Sequence, residues 1–314
     1  MLKYLIVQLS SKSTSFCHYN NNCDKEEVIS IDDLKEAILF SMKENLTLQL
    51  LYPETRLAPY FDEMLSKYDC VKIASVSSHY VDLADVIVYD SVEAFNTTHE
   101  RKDIAILLLS AHNLKSFSLI DESQLLNVTR LNIVIRDMDT INKKEIEEYK
   151  DIITNFSTML ESVYSRGGST QVNVLSDLLF EEAMNNCNAG LESVSVGPNG
   201  YFYLCPAFYY DCPENTIGTV KSGLDIKNPH LLHINYAPIC RKCDSFHCKR
   251  CVWLNQKLTG ELNTPSRQQC VMSHLERNAS RNLLTRLRSV DGSFADGKVI
   301  PDIDYLDPFE ILKR

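Results

Sequence analysis

The chain has 314 residues, a net charge of −10 and 44% hydrophobic residues. The acidic balance argues against a nucleic-acid-binding protein, which needs a concentrated basic face. The best apolar run, Ile104–Leu109, is far shorter than the roughly 20 residues of a membrane span. The opening MLKYLIVQL predicts a strand and lacks the cleavage site of an export signal. We therefore expect a cytoplasmic protein whose 11 cysteines bind metal instead of forming disulfides.

Strand and helix patterns alternate through the first region. Short apolar runs predict strands over 2–9, 46–55, 71–76, 85–91, 103–110 and 130–137. A helix is predicted after Ser30, which suits the N-cap with Asp33 three residues on, and a long amphipathic helix over 142–165. The pattern predicts an α/β fold with a mainly parallel sheet, either open or part of a (β/α) barrel. Chemistry in such folds gathers at the carboxyl ends of the strands.

In the first predicted helix, one face carries Ile31, Leu34, Ile38 and Met42, and we expect that face to be buried. The later segment 192–206 alternates like a β-hairpin that turns at Pro198-Asn199-Gly200.

Cysteines concentrate late in the chain, with eight of the 11 between Cys187 and Cys270. The stretch CRKCDSFHCKRC separates its four cysteines by two, four and two residues. A tight turn points both sulfurs of a C-x2-C pair toward one metal. The basic neighbours in this stretch would offset the charge of several thiolates and lower the pKa of the thiols; they are Arg241, Lys242, Lys249 and Arg250.

This number of thiols favours two metal sites. From the residues alone, structural zinc and iron–sulfur clusters both stay open, since tetrathiolate sites suit zinc as well. His247 is interpreted as a donor to a cluster sulfur, not as a ligand. The candidate ligands are Cys187, Cys205, Cys212, Cys240, Cys243, Cys248, Cys251 and Cys270.

The cysteine order resembles the SPASM domain of radical S-adenosylmethionine (SAM) peptide-modifying enzymes. Cys187, Gly200 and Cys205 match the spacing of its first elements, whereas the family usually has gaps of two, five and three in the tight group. The resemblance implies one or two auxiliary [4Fe–4S] clusters. One would take Cys240, Cys243, Cys248 and Cys270, and the other Cys187, Cys205 and Cys251, with Cys212 as a suggested fourth ligand.

The first region sits where these enzymes carry their radical-SAM domain, but it departs from both SAM motifs. Where the family has C-x3-C-x2-C, the loop reads SFCHYNNNCDK, so Cys17 aligns with the first cysteine while Asn21 and Asp24 replace the others. Where the family has Gly-Gly-Glu, the chain reads Tyr52-Pro53-Glu54. Proline lacks a donor N–H, and tyrosine adds bulk where the backbone must approach SAM. We expect a degenerate domain without the usual SAM cluster and without SAM.

Several stretches resemble the CXXX-repeat peptide maturases of Bacteroidales over essentially the whole chain: MLKYLIVQL with TSFCHY, CPAFYYD, CDSFHCKRCVWLN and HLER. The resemblance implies maturation of a ribosomally made cysteine-repeat peptide, with this chain binding the precursor or relaying electrons beside a radical-SAM partner enzyme. The domains expected are a degenerate radical-SAM-like domain over 1–180, a SPASM-like iron–sulfur domain over 181–280, and a C-terminal helix and tail over 281–314.

Two alternative functions stay open at this point. One is a zinc-stabilised peptide-binding scaffold without redox activity. The other is an autonomous radical-SAM enzyme with an atypical SAM cluster that uses Cys17 and Cys23. Whether the chain is itself catalytic is not decided by its residues, because both SAM motifs are lost.

Overall fold

The computed structural model describes residues 2–21, 23–98 and 102–303; residues 304–314 of the expected tail lie outside them. Its strands are β1 Tyr4–Gln8, β2 Thr47–Leu51, β3 Val71–Ser75, β4 Val86–Tyr89, β5 Lys102–Ser110, β6 Val128–Arg136, β7 Gln171–Val172, β8 Ser193–Val196, β9 Phe202–Tyr203, β10 Gly218–Thr219 and β11 Gly223–Leu224. Its helices are α1 Ile31–Lys43, α2 Pro59–Leu65, α3 Val92–Thr97, α4 Glu122–Leu125, α5 Lys143–Ser165, α6 Asp177–Phe180, α7 Pro206–Asp211, α8 Val252–Thr259 and α9 Arg267–Val290. Short 3-10 turns lie at Val81–Leu83, Ala111–Leu119, Pro229–Leu232, Ile234–Tyr236 and Cys240–Lys242.

The predicted start of α1 is confirmed. Ser30 is its N-cap, and its hydroxyl accepts a hydrogen bond from the Asp33 amide at 3.0 Å. Leu34 and Ile38 are buried, but Met42 is 63% exposed, so the prediction that it belongs to the buried face is wrong. Ala37 and Ser41 complete the buried face instead, because the stripe drifts around the helix as 3.6 residues make one turn.

One compact unit consists of Met1–Val88 and Asn188–Tyr236, and we call it the first unit. Its strand order is β4-β3-β2-β1-β8-β9, parallel except for β9, which pairs antiparallel with β8. The β8–β9 pair confirms the predicted hairpin. Both faces of β1 are buried, as expected for a strand in the middle of a parallel sheet. The carboxyl ends of β1 and β2 lead into the two loops that the sequence aligned with SAM motifs.

The second unit consists of Tyr89–Cys187 and Ala237–Arg314. Its strands follow the order β7-β6-β5 and are parallel. Helices α5 and α9 pack together, and Arg286 of α9 donates to Glu161 of α5 at 2.5 Å. A capping box of Asn142 and Glu145 begins α5. The close cysteines begin with Cys240 in the last 3-10 turn and end with Cys251, the N-cap of α8.

Each unit combines parallel strands with helices, which confirms the predicted α/β class. Among the described residues, neither set of strands closes into a barrel. No helix in this part of the chain is both long and apolar enough to cross a membrane. Both units are built from two separated stretches, and the division at 180 and 280 remains a prediction.

Candidate metal centre

Four cysteine side chains of the second unit line one pocket. We call it the thiol pocket, and its cysteines are Cys240, Cys243, Cys248 and Cys270. The space in it that a water-sized molecule can occupy is about 20 Å³. The other lining residues are Met184, Ile239, Ser245, Arg250, Pro265, Ser273 and His274. The four thiols are the set that the resemblance implies for one cluster.

Two consecutive turns and a helix end position these thiols. The Cys243 amide donates to the Cys240 carbonyl at 3.0 Å, and the Cys248 amide donates to the Ser245 carbonyl at 2.9 Å. Arg250 has a φ of 44°, so the chain turns sharply inside the second C-x2-C pair. Cys270 lies in the first turn of α9, where its amide donates to the carbonyl of the N-cap, Ser266, at 3.1 Å.

Burial controls the protonation of these thiols. It raises the pKa of Cys240 to about 12 and that of Cys248 to about 11, and it also raises the pKa of Cys243. An amide counteracts part of this effect, because the N–H of Ser245 donates to Cys243 Sγ at 3.4 Å. At Cys240, burial raises the pKa more than the charge of Arg250 lowers it, so the expected effect of a basic neighbour is present but outweighed.

The basic residues of the loop divide into two groups. Arg241 and Lys242 are exposed, and Lys249 Nζ lies 3.8 Å from Asp177 Oδ2. Arg250, in contrast, is only 2% exposed and lines the thiol pocket. Its guanidinium lowers the pKa of Cys240, against the larger effect of burial. Only Arg250 among these four is thus buried at the thiols.

A second pair of thiols lies in the same unit. Cys251 is the N-cap of α8, and burial raises its pKa to about 12, with a further rise from the nearby Cys187. The segment before Cys187 runs beside the cysteine loop, because the Asn185 amide donates to the Phe246 carbonyl at 2.7 Å and the Cys187 amide to the Lys249 carbonyl at 2.9 Å.

The two other candidate ligands, Cys205 and Cys212, belong to the first unit. They are the N-cap and the C-cap of α7, and both are half-buried. The set implied for a second cluster is therefore distributed between the units, and it stays a prediction.

The donor chemistry of the thiol pocket suits a thiolate-bound inorganic group. Four thiols face one cavity, an amide donates to one of them, and a buried guanidinium offsets negative charge there. Within residues 2–21, 23–98 and 102–303, no three His, Cys, Asp or Glu side chains are arranged around a single ion position.

Sequence reasoning missed the histidine that lies beside the thiols. His274 Nε2 is 3.7 Å from Cys243 Sγ, and His274 lines the pocket. A signal for it exists, since His274 follows Cys270 by four residues and so shares its helix face. His247 instead places Nε2 3.1 Å from Glu276 Oε2, and Tyr149 donates to the other oxygen of that carboxylate at 2.7 Å.

The backbone carbonyls at the end of β2 and in the loop after it accept hydrogen bonds from other segments of the first unit. The carbonyl of Leu51 accepts from Ser13 Oγ at 2.6 Å, that of Tyr52 from the Thr14 amide at 3.0 Å, and that of Pro53 from Ser78 Oγ at 2.7 Å. The Tyr52 ring is buried and contacts Tyr80 at a centroid distance of 4.6 Å. The backbone that aligned with the Gly-Gly-Glu loop is thus engaged within the protein.

Tyrosines also pack at the end of β1. Tyr19 is 2% exposed and stacks on Tyr210 at a centroid distance of 5.5 Å. Tyr210 donates to the carbonyl of Ser11 at 3.1 Å, and Tyr209 donates to Glu27 at 2.6 Å. Tyr209 and Tyr210 of α7 therefore lie against this loop.

No protein-family model and no curated protein matches the chain. Solved structures share its fold. A tagged anSMEcpe with bound AdoMet matches with a TM-score of 0.61 at 13% identity, over 92% of this chain and 98% of that one. The native anSMEcpe with bound AdoMet and Cp18Cys peptide gives 0.60 at 13%, over 93% and 100%. SuiB of Streptococcus suis bound to S-adenosylmethionine gives 0.51 at 13%, over 86% and 77%.

The chain thus shares the α/β fold of these structures. At this identity the likeness concerns the fold alone. In this chain, the loop after β1 carries Asn21 at the second aligned cysteine position, and its side-chain amide donates to the carbonyl of Ser13 at 2.6 Å. Cys23 donates to the carbonyl of Lys25 at 3.1 Å. Asn21 thus makes a hydrogen bond within the loop at the position where the aligned motif has a cysteine.

Proposed function

We propose that this protein takes part in the maturation of a ribosomally made cysteine-repeat peptide, in the cytoplasm and beside a radical-SAM partner enzyme. It would bind the precursor or relay electrons, and it would bind no SAM itself. The observation that carries this proposal is the thiol pocket, in which four late cysteines line one cavity of a radical-SAM-like chain. The peptide bound to a structure of the same fold gives further support.

In this proposal Cys240, Cys243, Cys248 and Cys270 hold one [4Fe–4S] cluster. Cys187 and Cys251 supply two ligands of a second, and Cys205 and Cys212 complete it. When bound, such clusters accept and donate single electrons. The protein's own groups would act around them: the Ser245 amide donates toward a ligand sulfur, and the ligand thiols lie in buried surroundings.

The first unit supports the second part of the proposal. Carbonyls at the end of β2 already accept hydrogen bonds from Ser13, Thr14 and Ser78. Tyr52 and Tyr210 place rings at the ends of β2 and β1. A chain whose former SAM loops are filled in this way needs another protein to generate radicals, which is why we include a partner enzyme.

Metal analysis of anaerobically purified protein tests the clusters. We expect about eight irons and eight sulfides per chain, from two cubanes of about four irons each. Cys240→Ser should lower iron by about half, whereas Cys70→Ser, in a half-buried thiol of the first unit, should leave it unchanged. Stoichiometric zinc in colourless protein would instead establish the zinc-stabilised scaffold.

Peptide binding is tested separately. The precursor, fluorescently labelled, is titrated with the anaerobic protein, alone and with the partner enzyme. A matched precursor with serine at every repeat cysteine serves as the control, and we expect it to bind more weakly. Absence of binding to the cysteine-containing precursor in both arms would remove the maturation role while leaving the metal result intact.

A further inference from the structure

One side chain of the thiol pocket is both charged and buried. Arg250 is 2% exposed, lines the pocket beside all four of its thiols, and lies between Cys248 and Cys251 in sequence. A buried charge needs compensation by an opposite charge or by hydrogen bonds, and thiolates that line the same pocket would supply opposite charge.

Other cations near the loop engage carboxylates. Arg277 is fully buried and donates to both oxygens of Asp244, at 2.8 and 2.5 Å. Lys249 lies near Asp177. The carboxylate of Glu276 interacts with His247 and Tyr149. Arg277 and Lys249 thus lie beside carboxylates and are not among the residues that line the thiol pocket, whereas Arg250 is.

We propose that Arg250 is a positioning residue for redox chemistry: its buried charge raises the reduction potential of the inorganic group held by the thiol pocket. This inference rests on the proposed function. A thiolate-bound cluster becomes more negative when it gains an electron. A positive charge close to it, in surroundings of low dielectric constant, therefore stabilises the reduced form more than the oxidised form.

Three variants separate the charge of Arg250 from its shape. Arg250→Gln removes the charge, Arg250→Lys keeps it, and Arg241→Gln removes a charge from an exposed position of the same loop. All three new side chains are unbranched at Cβ, so the two at position 250 tolerate its positive φ about as well as arginine does. The readouts are iron content and a potentiometric titration followed by electron paramagnetic resonance.

We expect Arg250→Gln to shift the one-electron reduction equilibrium about tenfold toward the oxidised form, which is about 59 mV more negative. Arg250→Lys and Arg241→Gln should stay near wild type. Loss of iron from Arg250→Gln alone also supports the proposal, because charge then decides whether the group is retained.

Two results would overturn it: equal potentials for Arg250→Gln and Arg250→Lys, or iron lost from both, since the lysine variant still carries a positive charge. Failure of the proposed function gives a different result. Wild-type protein that contains no iron would contradict the proposed cluster. If only this inference fails, the wild type contains iron, but its reduction potential does not depend on the residue at position 250.

Discussion

The thiol pocket of the second unit and the strand ends of the first unit differ in what their loop residues contact. In the pocket, four thiols and a guanidinium face a cavity, and burial keeps the thiols protonated. At the ends of β1 and β2, carbonyls and rings are already engaged by Ser13, Thr14 and Tyr210. The cysteine loop therefore has side chains that can still bind a metal, whereas the groups of the loops after β1 and β2 already make contacts within the protein.

This difference separates the part of the chain that can still bind an inorganic group from the part whose groups stabilise the fold. A buried thiol that is not a ligand contributes only as a small apolar group. The buried charge of Arg250 beside four thiols needs compensation, which an anionic inorganic group in the pocket would supply. The strand ends of the first unit need no bound group, because the contacts described there stabilise the protein without one. The following predictions test the contrast, from the largest effect to the smallest.

The largest effect concerns alkylation of the pocket in metal-free, reduced protein. Burial raises the pKa of Cys240 from its ordinary 9.0 to about 12. Because the thiolate is the reactive form, at pH 8 Cys240 should react with iodoacetamide about a thousandfold more slowly in folded than in urea-unfolded protein. The folded rate should rise with pH until about pH 12. Peptide mass spectrometry gives the rate at each cysteine.

Cys70 of the first unit is the comparison for this measurement. It is half-buried, and burial raises its pKa to a smaller extent. We expect its protection to be clearly smaller than that of Cys240. Equal protection at the two sites would mean that the thiol pocket is no more desolvated than an ordinary packing position.

A second prediction tests the glycine of the cysteine pattern. Gly200 has a φ of 76°, and a Cβ added there would come within 2.9 Å of Asp33 Cγ. Gly200→Ala should lower the free energy of unfolding by about 2 kcal/mol, from backbone strain and crowding together. Gly292→Ala is the control, because a Cβ there meets nothing within 4 Å. Urea unfolding measures both.

The iron content of Gly200→Ala shows whether the glycine serves the fold or the metal site. If Gly200 serves the hairpin of the first unit, folded Gly200→Ala protein should retain the iron of wild type. Iron lost at unchanged stability would instead place this glycine in the metal site.

Sequence reasoning predicted elements where local chemistry decides the structure. Ser30 caps α1, and the turn at Gly200 joins β8 to β9, because caps and tight turns depend on a few adjacent residues. The grouping of the four pocket thiols followed from a resemblance, not from their spacing alone. Met42 was assigned to the wrong face because a periodicity with one apolar residue per turn does not fix where the stripe ends.

The electrostatics of the site were not predictable in the same way. Four basic residues flank the cysteines, but only folding decides that Arg250 is buried with the thiols while Lys249 turns to Asp177. His274 enters the pocket from α9, which is distant in sequence from the loop it meets. Desolvation is a property of the folded surroundings, so the direction of the thiol pKa shifts could not be deduced from neighbouring charges.

A third prediction removes one polar group from the strand ends. The Thr14 hydroxyl donates to the Tyr52 carbonyl at 3.0 Å and accepts from the Ser75 amide at 3.1 Å. Thr14→Val should cost about 1–2 kcal/mol, since the Ser75 amide loses the hydroxyl that accepts its hydrogen bond and the Tyr52 carbonyl keeps the Thr14 amide alone. Thr154→Val, on the exposed face of α5, should change stability by less than about 0.5 kcal/mol. Thermal unfolding gives both values, and a neutral Thr14→Val would mean that water reaches this end of the sheet.

The smallest expected effect is the response to SAM. Added at millimolar concentration, SAM should leave the melting temperature of the iron-loaded protein unchanged, because a ligand that does not bind the native state cannot stabilise it. The Tyr52 and Pro53 carbonyls already accept hydrogen bonds, and Asn21 occupies the position of a motif cysteine. A radical-SAM enzyme with an intact SAM site, measured in parallel, is the positive control. Stabilisation of this chain, or cleavage of SAM by it alone, would show that the strand ends still form a SAM site and would favour the autonomous enzyme that uses Cys17 and Cys23.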